Sequence, residues 1–200
     1  MNTNLTDPGL RAGKLGDEPQ SPSRRNLLMG LAALPVLSMA GPLGASEQFW
    51  NQPRKLHLYR PALKKTLNVV YWHAGRVYTP GYRQLCLLLK DHRQDEAVSI
   101  DPRLFDLLCA MQAWVGYYGY KDPIQVNSGY RTARTNNRLE GAARNSMHLY
   151  GKAADIVFPG LPASYINQLA QRYAGGGVGF YPSSGFVHVD TGRQRVWRGR

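Results

Sequence analysis

Gly175-Gly176-Gly177-Val178-Gly179-Phe180-Tyr181-Pro182-Ser183-Ser184-Gly185-Phe186-Val187-His188-Val189-Asp190 reads as a β-hairpin. Strands are expected near Val178–Phe180 and Phe186–Val189, joined by the Pro182–Gly185 turn. Strict alternation puts Phe186, His188 and Asp190 on one face of the second strand and Val187 and Val189 on the other. The glycine run ends a helix expected over Ala163–Ala174, whose Ile166, Leu169, Ala170 and Tyr173 share a side. Before that helix, Ala153–Phe158 and Ile124–Ser128 read as strands, Thr132–Leu139 as a short helix and Glu140–Met147 as a loop. Asp101-Pro102 offers an N-cap and a first-turn proline. Behind it Leu104, Leu107, Leu108, Met111, Trp114, Val115 and Tyr118 recur at helical spacing for about four turns.

Further toward the N-terminus, Tyr82–His92 carries a helical cluster of Leu85, Cys86, Leu88 and Leu89. Leu56–Tyr59 and Leu67–Trp72 are strand candidates within and after a polar lead-in from Ser46 to Lys65, and His73–Arg76 turns into Val77-Tyr78. There are no internal repeats. This order predicts an α+β fold, a small antiparallel sheet with flanking helices, and not regular βαβ units.

Two hundred residues allow one ordinary domain plus a tail. A composition of 43% hydrophobic and 19% charged residues excludes wholesale disorder and a multispan membrane protein. Ser23-Arg24-Arg25-Asn26-Leu27-Leu28-Met29 precedes an apolar run to Ala40. The pattern resembles a twin-arginine export signal. The run, about 14 residues, is shorter than the roughly 20 needed to span a bilayer. Residues 1–45 are therefore expected to be a cleavable signal read by the twin-arginine translocase, and residues 46–200 a periplasmic domain with no stable membrane span.

Export changes the meaning of the charge. Lys and Arg total 25 against 13 Asp and Glu. In the cytoplasm that balance would point to nucleic acid; outside it, the polyanions are cell-wall peptides with free carboxylates, anionic lipids and glycopolymers. No nucleic-acid partner is expected. Cys86 and Cys109, the only cysteines, sit in apolar helical patterns and lack metal-type spacing, so buried thiols are the default and a disulfide requires facing Cβ atoms.

A hydrolytic zinc site needs three His, Asp or Glu ligands and a vacant position for water. Of five histidines, two have suitable settings. His148 precedes Asp155 by seven residues, and His188 alternates with valines on a strand. By spacing alone, hydrogen-bonded or exposed side chains would explain them as well. His57, His73 and His92 have no comparable partner.

Ser146-x-His148-x-x-Gly151-x-Ala153-x-Asp155 resembles the signature of the zinc D-Ala-D-Ala carboxypeptidase, lysostaphin and sonic-hedgehog superfamily, with Ser128-Gly129-Tyr130-Arg131 upstream and His188 downstream as its other landmarks. The closer likeness is to the YcbK-like (MepK-like) murein endopeptidases. It rests on the paired arginines, Ser99-Ile100-Asp101-Pro102, Thr135-Asn136-Asn137 and the segment from Gly175 to Gly192, so it covers nearly the whole chain. The resemblance implies a hedgehog-like fold and one zinc per chain held by His148, Asp155 and His188. It also implies that Arg131 and Ser146 face substrate, with Tyr130 beside them, and that the activity is hydrolysis of peptidoglycan cross-links containing meso-diaminopimelate. Arg131 suits a carboxylate or an oxyanion; Ser146 could equally cap its loop.

The sequence departs from the superfamily at the general base. Many relatives carry glutamate or histidine two or three positions before the last ligand, where this chain has Phe186 and Gly185. Asp190 is the first alternative, as base or as a carboxylate that orients a ligand histidine; Glu140 is a looser one. Tyr130, Tyr150 and Tyr181 add donors. Two other activities fit the same residues: a D,D- or L,D-carboxypeptidase on stem peptides, and a non-catalytic, zinc-stabilised wall-binding module.

Overall fold

A computed structural model describes residues 47–200. The twin-arginine segment and its apolar run lie outside the described residues. The chain runs α1 (Glu47–Asn51), β1 (Arg54–Arg60), a 3-10 turn (Pro61–Leu63), β2 (Lys65–His73), β3 (Arg76–Val77), α2 (Thr79–Leu88), α3 (Pro102–Tyr117) and β4 (Ile124–Ser128). It continues with α4 (Ala133–Asn137), a 3-10 turn (Met147–Tyr150), β5 (Ala153–Val157), α5 (Ala163–Tyr173), β6 (Gly177–Tyr181), β7 (Phe186–Asp190) and β8 (Arg195–Arg198).

The class is α+β as expected, but the sheet is neither small nor purely antiparallel. It has eight strands in the order β3-β2-β1-β4-β5-β7-β6-β8. β1 pairs with β4, and β6 with β8, in parallel. A parallel pair needs a long crossover. Here β2, β3, α2 and α3 together supply the one between β1 and β4. At the other edge the chain leaves β7, passes β6 and adds β8 beyond it.

Helix α3 starts as its sequence demands: the Asp101 side chain accepts from the Arg103 backbone N–H, with Pro102 in the first turn. Leu104, Leu108, Met111, Trp114 and Val115 are buried. The helix packs on β1 and on α5, where Trp114 Nε1 donates to the Tyr165 hydroxyl at 3.1 Å. Leu56, Leu58, Val126, Ala154, Ile156, Val187 and Val189 complete this core from the sheet. Cys86 and Cys109 are free buried thiols. The alternation that sends Ala154, Ile156, Val187 and Val189 into the core directs Asp155, His188 and Asp190 to the opposite face of the sheet.

Candidate metal centre

Asp155 and His188 are direct cross-strand partners between β5 and β7, in a ladder where Ala153 pairs with Asp190 and Ile156 with Val187. His148 arrives from the 3-10 turn. Ser146 caps that turn by accepting from the His148 N–H at 3.4 Å, and Gly151 ends it at φ 63°, where a Cβ would lie 2.8 Å from the Ser99 carbonyl oxygen. The glycine of the motif is thus fixed by backbone conformation and by close approach. Asp101 N–H donates to the Gly151 carbonyl, which ties the start of α3 to the ligand turn.

All three side chains are buried, and their ligating atoms form a compact triangle. His148 Nε2 is 3.2 Å from both Asp155 Oδ1 and His188 Nδ1, and His188 Nδ1 is 2.9 Å from Asp155 Oδ1. Ligands about 2.0–2.1 Å from a tetrahedral zinc stand about 3.3–3.4 Å apart, so the triangle needs only a few tenths of an ångström of expansion.

Hydrogen bonds on the far side of each ring set its tautomer. His148 Nδ1 is 2.6 Å from the Gly129 carbonyl oxygen, which can only accept, so that nitrogen carries the proton and Nε2 keeps its lone pair. His188 Nε2 is 3.0 Å from Asp190 Oδ2, which leaves His188 Nδ1 as its lone-pair atom. Two lone pairs and a carboxylate oxygen therefore converge with no donor among them. Their mutual repulsion is relieved by a cation, and the donor set suits a divalent metal with an open position. Burial pushes the Asp155 carboxyl up, but the two histidines outweigh it and hold the group well below the usual carboxylate range. Burial lowers His148, whereas for His188 burial is outweighed by the carboxylates of Asp155 and Asp190, to which its protonated ring would donate, and the group is raised.

The Asp190 carboxylate points away from the ligand triangle and is fully occupied. Oδ2 accepts from His188 Nε2 and from Arg195 Nη2 at 2.6 Å; Oδ1 accepts from Gly177 N at 3.0 Å, Gly192 N at 2.8 Å and Arg195 Nη1 at 3.1 Å. It has no exposed surface. This is the geometry of a carboxylate that orients a ligand, and it leaves no lone pair facing the centre where a base would act. Glu140 is exposed in the loop after α4 and makes no hydrogen bond or ion pair with the ligands among the described residues.

Arg131 lies against the centre. Its Nε donates to Ser128 Oγ at 2.7 Å, its Nη2 pairs with Asp155 Oδ2, and its backbone N–H donates to the His148 carbonyl. Tyr130 is half-buried against the core and held by its N–H to the Leu89 carbonyl, while Tyr150 is exposed. Tyr181 is within electrostatic reach of Arg131, and its hydroxyl accepts from Trp197 Nε1 at 3.0 Å.

Trp197 and Arg195, both on β8, are site residues that the sequence reading missed. The Trp197 ring lies 5.1 Å from that of His188, between centroids. The signal was present as alternation: Arg195 and Trp197 are two apart, on one face of a four-residue strand, but a terminal Arg-rich run does not look like a strand.

The comparisons with known proteins agree with this geometry. The family model described as "Peptidoglycan L,D-endopeptidase MepK" matches residues 48–197. A protein of that name from Escherichia coli K12 is 35% identical over 180 residues, covering 88% of this chain and 97% of its own. "Probable peptidoglycan L,D-endopeptidase MepK" from Haemophilus influenzae is 38% identical over 121 residues, covering 58% of this chain and 64% of its own. With a matched span that takes in every element from β1 to β7 and all three ligands, the chain belongs to the MepK peptidoglycan endopeptidase family of metallopeptidases.

Proposed function

We propose that this chain is a zinc-dependent murein endopeptidase that hydrolyses peptide cross-links in peptidoglycan. The observation that carries the reading is the convergence of three acceptor atoms, His148 Nε2, Asp155 Oδ1 and His188 Nδ1, each fixed from outside by its own partner. Two imidazoles and one carboxylate with a free fourth position fit zinc, one ion per chain. Zinc bound there supplies Lewis-acid polarisation of the scissile carbonyl and activates water near neutral pH.

The chain's own residues do the rest. Arg131, braced by Ser128 and Asp155, holds a fixed positive charge where the carbonyl oxygen becomes anionic. Asp190 and Arg195 lock the His188 ring so that Nδ1 faces the centre. Asp190 serves as this orienting carboxylate and not as the base, a role supported by its lack of a free lone pair toward the ligands. Ser146 caps the ligand turn, and Tyr130, half-buried against the core, is held to Leu89 one residue before Arg131. The Tyr181 hydroxyl and the Trp197 indole form a wall beside His188.

Residues 1–45 act as the twin-arginine signal and residues 46–200 as the periplasmic peptidase, with the hedgehog and D-Ala-D-Ala peptidase kinship of the fold. A family match beginning at residue 48 supports that division. Among the described residues no helix is long and apolar enough to cross a membrane. Incubation of purified, zinc-loaded protein with intact sacculi tests the function. Release of soluble muropeptides supports it; sedimentation with the wall and no new product would instead indicate a binding module.

A further inference from the structure

Three rows of side chains cross β7, β6 and β8 on the metal face. Asp190, Gly177 and Arg195 make one, and His188, Gly179 and Trp197 the next. A glycine in the middle leaves each row open, so the outer side chain lies across β6 and reaches β7. A Cβ on Gly177 would collide with the Arg195 guanidinium, and one on Gly179 would stand 2.5 Å from the Trp197 indole. The third row is reversed. Tyr181 fills the middle, stacked on Phe186 of β7 with ring centroids 4.4 Å apart and planes 15° apart. The outer position is Gly199, whose N–H donates to the Phe180 carbonyl at 2.8 Å and whose Cβ would overlap the Tyr181 ring.

This packing fixes a phenol beside the metal centre. His188 pairs with Gly179, and Tyr181 lies two residues further along β6 on the same face. Diagonal neighbours of this kind are about 7–8 Å apart, within reach of aromatic side chains. Trp197 bridges the interval: its ring centroid is 5.1 Å from that of His188, and its Nε1 donates to the Tyr181 hydroxyl at 3.0 Å. An indole N–H can only donate, so the phenol oxygen is the acceptor and its own proton is turned elsewhere. Among the described residues no acceptor takes that proton. Tyr181 and Trp197 are both half-buried, so the pair borders solvent. Arg131 stands on the other flank, after β4 and paired with Asp155 of β5. An extended peptide advances about 3.3–3.6 Å per residue, so a chain crossing the ligands from the Arg131 side brings a carbonyl to the phenol within about three residues.

We propose that the Tyr181 hydroxyl donates a hydrogen bond to a backbone carbonyl of the substrate peptide, on the β6–β8 side of the scissile amide, and that Trp197 positions it for this contact. The inference rests on the peptidase reading above and adds a substrate-binding residue to it, while Arg131 keeps the carbonyl oxygen that becomes anionic. The acceptor is a neutral carbonyl because the phenol is a neutral donor and the two guanidiniums of β8 are engaged elsewhere, Arg195 with Asp190 and Arg198 over the Phe180 ring on the opposite face. A phenol held on both flanks, with its acceptor side already taken, gives up little freedom on binding.

Tyr181→Phe keeps the ring between Phe186 and Gly199 and removes only the hydroxyl. The test measures KM and kcat of the zinc-loaded protein on a cross-linked muropeptide dimer and, by titration calorimetry, the affinity of the zinc-free protein for the same uncut dimer. Tyr181→Phe should raise KM and the dissociation constant alike by about 3- to 15-fold, the span of one neutral hydrogen bond, with kcat within about 3-fold. Unchanged KM and affinity would overturn the inference and leave the phenol as a partner for the indole alone, whatever happens to Tm. A fall in kcat at constant KM would also overturn it, since the contact would then exist only in the transition state. A wild type that cuts the dimer without any effect of Tyr181→Phe sinks the donor and spares the peptidase; one that does not cut it removes the peptidase reading and this inference together.

Discussion

Replacing Asp190 by Asn separates an orienting carboxylate from a proton carrier. Every group around Asp190 is a donor: His188 Nε2, two Arg195 nitrogens and the Gly177 and Gly192 amides. An amide NH2 must displace one of them, because donor cannot face donor, and the remaining oxygen has lost its charge. If the NH2 turns toward His188, the ring is freed and its tautomer is no longer imposed. If it turns toward the glycine amides, β7 is uncoupled from the start of β6. Loss of charge-assisted bonds at a fully buried group costs about 2–4 kcal/mol. The lower part of that range applies because the Arg195 side chain is 31% exposed and can turn to water. At about 2–4 °C per kcal/mol for a domain of this size, Tm should fall by about 4–12 °C. Zinc affinity should fall by about 10- to 100-fold. Competition against a chromophoric chelator measures the affinity, and hydrolysis at saturating zinc should recover to within a few-fold of wild type. Unchanged affinity with turnover reduced by about 10²–10⁴-fold, the span of general acid–base assistance, would refute the orienting role and make Asp190 the base.

Three further changes probe other parts of the structure. His148→Ala or His188→Ala removes one of three ligands and should abolish stoichiometric zinc, read by elemental analysis; one zinc per chain in both variants would sink the ligand set. Gly179→Ala builds a Cβ 2.5 Å from the Trp197 indole. It should cost about 1–3 kcal/mol and shift Trp197 fluorescence as β8 is pushed from His188, whereas a silent substitution would mean that the indole does not lie there. Asp91 is raised by burial but held at about 2 by the Thr135 hydroxyl, by the backbone and hydroxyl of Thr132 and by the Arg93 backbone N–H, below the unfolded value of about 3.9. Its stabilisation is therefore complete above about pH 4 and is lost as pH falls through about 2. Asp91→Asn should be about 1–3 kcal/mol less stable at neutral pH and converge with wild type at about pH 2, and a gap independent of pH would contradict this.

Local patterns carried the reading of the elements that stand alone. Pro102 behind Asp101 and the apolar positions after it located α3, and the alternation through Val187 and Val189 located β7 with His188 and Asp190 on one face. β4 was likewise legible end to end. Helix α2 begins earlier and ends sooner than its apolar cluster implies. Pro80 starts it, and the Asp91 turn, a long-range clamp, closes the chain behind it. The parallel pairs escaped because nothing in β1 or β8 itself specifies a partner about 65 residues ahead or a strand across a hairpin; pairing is decided by tertiary closure.

The site shows the same division. The motif brought out the three side chains that converge, His148, Asp155 and His188, but left two roles open for Asp190. Alternation places it on the His188 face and cannot say whether its oxygens point to the metal or to the outer ring nitrogen. That choice is made by Arg195, Gly177 and Gly192, which come from β8, β6 and the turn after β7. The Asp91 clamp was equally silent, since its partner Thr132 lies 41 residues away.

The central claim is metal-dependent cleavage of an internal peptide cross-link, and one measurement addresses it directly. A purified cross-linked muropeptide dimer is incubated with the metal-free protein, with the same protein given one equivalent of zinc, and with zinc-supplemented His148→Ala, and the products are identified by mass spectrometry. The account predicts conversion of the dimer to two monomeric muropeptides whose summed mass exceeds it by one water, only in the zinc-restored wild type. Loss of a terminal amino acid from an intact dimer, or equal cleavage by the His148→Ala variant, would contradict it.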